Sequence, residues 1–118
     1  MSAPIVTPKI TVAFLLYNAE KSVLRLLETL LKQKHPSTKS QADWLRVIFV
    51  NDKSKDETSK VLKKCLRAIG DPSYIEFIDH EKNFGLSKTV NEVIGLTQTA
   101  TLLTCHCDCF FEVETYIA

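Results

Sequence analysis

The feature that most constrains the fold is an alternation of short apolar runs with segments of helical periodicity. Residues 9–16 form a β-rich run with almost no polar alternation, which is typical of a strand covered on both faces. In residues 19–34 the apolar positions recur at helical spacing, and His35-Pro36 ends the segment because proline disfavours helix in the residue before it. A buried strand followed directly by an amphipathic helix predicts a β-α unit of a parallel sheet.

The same pattern recurs along the rest of the chain. Residues 45–50 predict a second strand, and a helix follows from Asp56 to the turn at Gly70-Asp71-Pro72. Residues 74–78 alternate as a third, more exposed strand before another helix, and residues 101–105 predict the fourth strand. Because such crossovers are right-handed, we predict a Rossmann-like three-layer α/β/α fold with a mainly parallel sheet in the strand order 3-2-1-4.

Length and composition fit one globular domain. The 118 residues are 45% hydrophobic and 25% charged, and the net charge of +1 gives no general attraction for nucleic acid. The apolar stretch at 12–16 is too short to span a bilayer, and the first residues lack the pattern of a signal peptide. We therefore expect a cytoplasmic protein without a transmembrane segment, with residues 1–8 as an N-terminal lead and residues 9–118 as a single domain.

Polar and aromatic residues gather where each predicted strand ends. They are Tyr17-Asn18, Asn51-Asp52, Asn83-Phe84-Gly85 and His106-Cys107-Asp108. Because the carboxyl ends of parallel strands meet at one edge, where open α/β sheets bind their ligands, these patches predict a single site for a nucleotide-type ligand. The sequence holds neither a G-x-G-x-x-G fingerprint nor a P-loop, which argues against a dinucleotide dehydrogenase and a P-loop NTPase.

The run from Cys105 to Cys109 has two interpretations. On an extended strand His106 and Asp108 share one face, while Cys105, Cys107 and Cys109 share the other. A thiolate and imidazole zinc site is one interpretation, but alternating residues on one strand cannot surround a tetrahedral ion. The other is that the cysteines are reduced and pack as small apolar side chains beneath the sheet.

The order of the motifs resembles the nucleotide-binding half of a family 2 glycosyltransferase with the GT-A fold, from Lys9 to about Tyr116. That family has, in order, Tyr-Asn with a nearby Glu, Val-Asp-Asp-Gly-Ser-x-Asp-x-Thr, Asn-x-Gly with a later Asn, and an Asp-x-Asp that closes a strand. The corresponding segments here are Tyr17-Asn18-Ala19-Glu20, Val50 to Thr58, Asn83-Phe84-Gly85 with Asn91, and His106-Cys107-Asp108.

The resemblance implies a binding site for a nucleotide diphosphate sugar of the UDP or GDP type. In such a site Tyr17 stacks on the base, Asp52 accepts a hydrogen bond from a base N–H, and Lys88 reaches a phosphate. Each residue also has a structural alternative. Tyr17 could be an aromatic packed on the core, Asp52 a turn residue or a cap for the helix near Asp56, and Lys88 part of a solvated helix surface. An ordinary turn is the alternative for Asn83 and Gly85. The nucleotide-binding residues implied are Tyr17, Asn18, Asp52, Asn83, Gly85 and Lys88.

The resemblance also implies a divalent cation held by Asp108 and His106. In the family a pair of carboxylates at this place binds Mn²⁺ or Mg²⁺, which stabilises the leaving nucleoside diphosphate. Because His106 stands where the family has its first aspartate, the softer nitrogen ligand favours Mn²⁺ over Mg²⁺.

Four positions depart from the family pattern, and each departure is expected to weaken donor binding. Where the family has Asp, Gly, a basic residue and Asp, this sequence has Asn51, Lys53, Val90 and His106. The acceptor-binding half and the general base of inverting members lie downstream of the Asp-x-Asp segment. The domain therefore looks truncated after this motif, and no catalytic base can be named.

These patterns together predict a glycosyltransferase-type enzyme domain that binds a nucleotide diphosphate sugar and a divalent cation, and transfers the sugar to an unidentified acceptor hydroxyl. One alternative is a catalytically incomplete nucleotide-binding or assembly module. The other is a Cys/His metal-binding domain. A sheet edge or flank left open by an absent second half predicts a homodimer.

Overall fold

The computed structural model describes residues 10–33, 40–99 and 101–106, in which strands and α-helices alternate. No helix in these ranges is both long enough and apolar enough to cross a lipid bilayer. The elements are β1 (Ile10–Leu16), α1 (Val23–Leu31), β2 (Leu45–Asn51), α2 (Thr58–Ala68), β3 (Ile75–Asp79), α3 (Leu86–Leu96) and β4 (Thr101–His106).

The strands form one sheet in the order β3-β2-β1-β4, with every neighbouring pair parallel. Asn51 at the end of β2 pairs with Leu16 on one side and with Asp79 on the other. On the far side of β1, Leu15 pairs with His106. The four carboxyl ends therefore line up at one edge of the sheet, and the predicted order 3-2-1-4 is confirmed.

Helices pack on both faces of the sheet, as the predicted three layers require. On one face, α1 and α2 cover the larger buried cluster, where the rings of Phe14 and Phe49 stack with centroids 5.0 Å apart. On the other face, Val93 of α3 joins a smaller cluster with Ala13 and Val50. Every residue of β1 is buried, which explains why its sequence is apolar without alternation.

The start of α1 differs from the sequence prediction, because the helix begins at Val23 and not near Ala19. Asn18 has a φ of 52°, in the left-handed region that a right-handed helix cannot contain. The carbonyl oxygen of Ala19 then accepts hydrogen bonds from the N–H groups of Ser22 and Val23, both at 2.9 Å. The chain therefore turns sharply at the end of β1 before the helix can form.

The end of α2 matches the sequence prediction. Gly70 has a φ of 89°, and its N–H donates to the carbonyl oxygen of Arg67 at 3.1 Å. The N–H of Asp71 donates to the carbonyl oxygen of Leu66 at 2.9 Å. These two bonds form a Schellman motif, in which glycine avoids the steric cost of a left-handed backbone.

Candidate functional site

The loop after β1 is fastened to the loop after β2 by Asn18. Its backbone N–H donates to the Ser54 hydroxyl at 2.9 Å, and its side-chain oxygen accepts from the N–H of Lys55 at 2.8 Å. Asn18, one of the predicted nucleotide-binding residues, thus joins the loops that follow two neighbouring strands. Its side-chain oxygen is occupied by this loop contact.

Asp56 and Thr58 make a second connection between the same loops. Asp56 accepts from the backbone N–H of Glu20 at 3.1 Å and from that of Thr58 at 3.1 Å, and it also bonds the Thr58 hydroxyl. That hydroxyl oxygen in turn accepts from the N–H of Ala19 at 2.8 Å. Burial raises the pKa of Asp56, but the hydrogen bonds from Thr58 and Glu20 outweigh it, and the net pKa is lowered.

Asn51, one of the departures from the family pattern, is buried, and its side-chain amide contacts the carboxylate of Asp79. Its side-chain N–H donates to Asp79 at 2.9 Å across the β2–β3 pair, and its oxygen accepts from the N–H and hydroxyl of Ser54. Asp79 also accepts from the Ser59 hydroxyl at 2.7 Å and lies 3.4 Å from the ammonium of Lys63. An aspartate at position 51 would place two carboxylates in contact, so the amide is the residue type that suits Asp79.

Asp52 connects the end of β2 to the loop of residues 83–85, called here the 83–85 loop. One carboxylate oxygen, Oδ1, accepts from the N–H of Phe84 at 2.8 Å, and the other, Oδ2, accepts from the N–H of Gly85 at 3.0 Å. The side-chain amide of Asn83 donates to the Asp52 backbone oxygen at 3.2 Å. The bonds of this carboxylate therefore reach the 83–85 loop, rather than capping α2 as the structural alternative proposed.

His80 lies beside Asp52 and was not among the residues predicted from the sequence. Its Nδ1 is 2.9 Å from Asp52 Oδ1, and its Nε2 is 2.8 Å from Glu92 Oε1 on α3. The ring of Phe84 packs at 87° to the imidazole, with centroids 4.8 Å apart. His80 occupies the carboxyl end of β3, the same kind of position as the predicted patches, and that position was the signal that could have identified it.

The ionisation of Asp52 follows from these neighbours. Burial raises its pKa, but the hydrogen bonds from His80 and from the Phe84 and Gly85 amides outweigh that effect and leave the pKa below its usual value. The Asp52 side chain remains 13% exposed. An ionised acceptor therefore reaches the surface at the carboxyl edge of the sheet.

A cleft of about 240 Å³ opens at this edge, called here the strand-end cleft. Four of the predicted residues lie on it, and Tyr17 among them is 41% exposed. Asn18 and Lys88 are not part of its lining, although Lys88 is exposed on α3 next to the lining residue Thr89. The lining residues are Leu15, Leu16, Tyr17, Asp52, Asn83, Gly85, Leu86 and Thr89.

A larger cavity, of about 380 Å³, lies toward the amino ends of the strands and includes Thr11, Arg46 and Tyr74 in its lining. None of the predicted site residues lines it. Open parallel sheets bind ligands at the carboxyl ends of their strands, so we assign the candidate site to the smaller strand-end cleft.

The predicted metal ligands are only partly within the described residues. His106 is the last residue of β4, and its backbone lies beside Leu15 at the edge that carries the cleft. Asp108, Cys107 and Cys109 lie outside the described residues. Within the described ranges no group of three or more His, Cys, Asp or Glu side chains could hold a metal ion, and Cys105 is buried in the larger core cluster.

Comparison with models of protein families shows which family the chain belongs to. The model of glycosyl transferase family 2 matches residues 11–117, which is nearly the whole sequence. The chain belongs to this family. The resemblance drawn from the motifs is thus confirmed, and a search of curated proteins returned no match.

The chain is also similar to several solved structures. S. aureus TarS is 28% identical, with a TM-score of 0.69, over 91% of this chain and 18% of TarS. S. aureus TarS 1-349 in complex with UDP-GlcNAc is 27% identical, with a TM-score of 0.68, over 85% of this chain and 26% of that one. The Pyrobaculum calidifontis mannosyltransferase PcManGT, in complex with GDP-Man and Mn²⁺, has a TM-score of 0.74 at 20% identity, over 92% of this chain and 30% of the other.

The match to PcManGT supports the GT-A fold alone, because the sequence identity is low. The family 2 chain spans less than a third of the length of each of these three structures. The family is therefore established for residues 11–117, which the family model matches, and the fold for the described residues.

Proposed function

We propose that this family 2 domain binds a nucleotide diphosphate sugar in the strand-end cleft for transfer of the sugar to an acceptor hydroxyl. The observation that carries the proposal is the position of Asp52, an ionised carboxylate that reaches the cleft between Tyr17 and the 83–85 loop. With a volume of about 240 Å³, the cleft is smaller than typical ligand pockets of about 300–1,000 Å³, so it would hold the base end of the donor.

Asp52 has capacity for one more hydrogen bond. Among the described residues, Oδ1 accepts from His80 and Phe84, whereas Oδ2 accepts only from Gly85. A carboxylate oxygen can accept about two hydrogen bonds, which leaves one lone pair of Oδ2 for a ring N–H. Uracil and guanine carry a ring N–H on the pairing edge and cytosine does not, so we propose a UDP or GDP donor over a CDP donor.

Tyr17 and the first turn of α3 suit the other parts of a nucleotide. Tyr17 lines the cleft and is 41% exposed, and the stacking of a base on an aromatic ring is worth about 1–3 kcal/mol. Gly85 and Leu86 at the start of α3 also line the cleft, and the positive end of a helix dipole favours a nearby diphosphate. We assign Lys88, in the first turn of this helix, to a phosphate of the donor.

We propose that Asp108 and His106 hold a divalent cation, with Mn²⁺ preferred to Mg²⁺. The support is the position of His106 at the end of β4, beside β1, together with the nitrogen and carboxylate donor set. Such a cation would supply positive charge where the nucleoside diphosphate leaves. PcManGT, which shares the fold, was solved with GDP-Man and Mn²⁺.

The homodimer and the cytoplasmic location both stay predictions. Among the described strands β3 and β4 are the outer ones, and an outer strand can pair with a second copy of the chain. Sedimentation velocity tests the dimer, and a strictly monomeric profile would count against it. Cell fractionation tests the location.

The first experiment is calorimetric titration of UDP, GDP and CDP into the protein, with and without Mn²⁺. We expect UDP or GDP to bind at least 10-fold more tightly than CDP, since a mismatched base leaves the Asp52 acceptor unpaired. Asp52→Asn should weaken binding by about 10-fold or more, and Asp108→Ala should abolish the Mn²⁺ dependence. Glu76→Gln, an exposed carboxylate on β3, is the matched control.

Two results would contradict the proposal. One is that no nucleotide binds at millimolar concentration. The other is that the parent protein and Asp52→Asn each bind UDP, GDP and CDP with the same affinity. Tight, base-selective binding without any sugar transfer would favour the nucleotide-binding module without catalysis.

A further inference from the structure

His80 is held between two carboxylates that belong to different elements. Its side chain is only 6% exposed, with Asp52 Oδ1 2.9 Å from Nδ1 and Glu92 Oε1 2.8 Å from Nε2. A neutral imidazole carries one N–H, so one of these contacts would set a nitrogen lone pair against a carboxylate lone pair. Both contacts are favourable only when both nitrogens donate, which makes His80 an imidazolium.

The surrounding charges support this protonation state. Burial lowers the pKa of His80, but the hydrogen bonds and charges of Asp52 and Glu92 raise it more, and the net pKa lies above 6.5. Within the described residues these two carboxylates are the charged groups that act on the ring. Phe84 contributes an apolar ring edge.

His80 reaches the strand-end cleft through Asp52. The same oxygen of Asp52 that contacts His80 accepts from the N–H of Phe84, and the second oxygen accepts from the N–H of Gly85. The Phe84 ring also packs against the imidazole. The orientation of Asp52 and the shape of the 83–85 loop therefore depend on one buried cation.

We propose that protonated His80 is the positioning residue of the nucleotide site: it fixes Asp52 and the 83–85 loop for base binding, with Glu92 holding the far side of the imidazolium. This inference rests on the proposed function, and it deepens that proposal by assigning the residue that orients the base acceptor. His80 itself does not line the cleft.

The consequence is a specific dependence of affinity on pH. Because the folded-state pKa is raised, the imidazolium is present at low and neutral pH and is lost as the pH rises through that value. Loss of the proton leaves one N–H for two carboxylates, so one of the two contacts becomes repulsive and the hold of His80 on Asp52 is weakened. Nucleotide affinity should therefore fall on the alkaline side, with its midpoint at the pKa of His80.

Glu92→Gln separates this role from simple packing. The glutamine oxygen can still accept from Nε2, so the contact is kept while a charge that raises the pKa of His80 is removed. Glu92 is 40% exposed, and the change should leave the fold intact. We expect the pKa of His80 to fall, and the midpoint of the affinity profile to move to lower pH by the same amount.

The test combines NMR titration of the His80 ring with calorimetry of UDP and GDP from pH 6 to 9. It compares the parent protein with Glu92→Gln, His80→Gln and the control Glu81→Gln, which removes an exposed carboxylate next to His80. Any protonation change of the nucleotide itself affects the control variant and the other proteins equally, so it cancels in the comparison. His80→Gln should bind at least 10-fold more weakly at pH 6.5, with a profile that no longer has the alkaline midpoint.

The outcomes separate this inference from the proposed function. Absence of nucleotide binding at every pH would overturn both the proposed function and the role of His80. Nucleotide binding with the same pH profile in the parent protein, Glu92→Gln and His80→Gln would overturn the role of His80 alone. A His80 pKa at or below 6.5 would overturn the imidazolium on which the inference stands.

Discussion

Asp52 shows at the scale of one residue how the surroundings of a carboxylate come from distant parts of the chain. Its partners His80, Phe84 and Gly85 lie 28, 32 and 33 residues away in sequence. They meet because β2 and β3 are parallel neighbours that end at the same level. The local sequence indicates that Asp52 follows a strand, but only the sheet determines which groups surround it.

The Asn51 and Asp79 pair leads to a prediction about stability. In Asn51→Asp the buried donor becomes a second carboxylate beside Asp79, and we expect the free energy of unfolding to fall by about 1–3 kcal/mol at pH 7. Urea unfolding at pH 7 measures the change. At pH 4 the loss should be smaller, because one of the two carboxylates can take up a proton.

The double variant Asn51→Asp with Asp79→Asn is the matched control. It restores one amide and one carboxylate in reversed positions, so it should recover part of the lost stability. If Asn51→Asp is as stable as the parent at pH 7, the contact with Asp79 does not limit which residue can occupy position 51.

The cleft residues also show which residues of a site can be predicted from the sequence. Tyr17, Asp52, Asn83 and Gly85 were predicted together because each follows a strand, and the cleft contains all four. His80 was missed because a histidine without a recognisable motif carries no local signal. Its importance comes from contacts with Asp52 and Glu92, which are pairings in space.

At the scale of elements, the loops after β1 and β2 behave as one unit because Asp56, Thr58 and Asn18 fasten them together. Strand positions were predicted to within about one residue, since buried parallel strands leave an apolar run. The start of α1 was predicted too early, because the left-handed turn at Asn18 is set by contacts with the loop after β2. Helical periodicity alone does not contain that information.

Asp56→Ala should destabilise the protein by about 1–2 kcal/mol. The substitution removes the acceptor for the first turn of α2 and for the N–H of Glu20, so it loosens a helix end and a loop together. Thermal unfolding gives the change. Glu57→Ala is the control, since Glu57 is exposed and its side chain makes no capping bond to α2.

For the whole molecule, the carboxyl edge of the sheet holds charges with opposite pH responses. Burial alone would raise the pKa values of Asp52, Asp56 and Asp79. The hydrogen bonds that these carboxylates accept have the larger, opposite effect, so the net pKa shifts are downward. Their stabilisation is present above the unfolded-state pKa of about 3.9 and is lost as the pH falls through the folded values. The stabilisation from His80 is present below the pKa of the unfolded state. It is lost as the pH rises through the pKa of the folded state, which is raised.

Stability should therefore have a plateau between an acid limb and an alkaline limb. Urea unfolding from pH 2.5 to 9 measures it, and His80→Gln should flatten the alkaline limb while leaving the acid limb in place. An alkaline limb of unchanged size in His80→Gln would show that another group causes it.

The strand order has a further consequence for the protein as it is made. β1 is an inner strand of the described sheet and is synthesised before both of its neighbours, and the second of them, β4, is about 90 residues further along the chain. At roughly 5–20 residues per second, the ribosome takes several seconds to supply that neighbour. During this interval β1, the most apolar of the described strands, has an unpaired edge, so the nascent chain stays exposed to aggregation until β4 emerges.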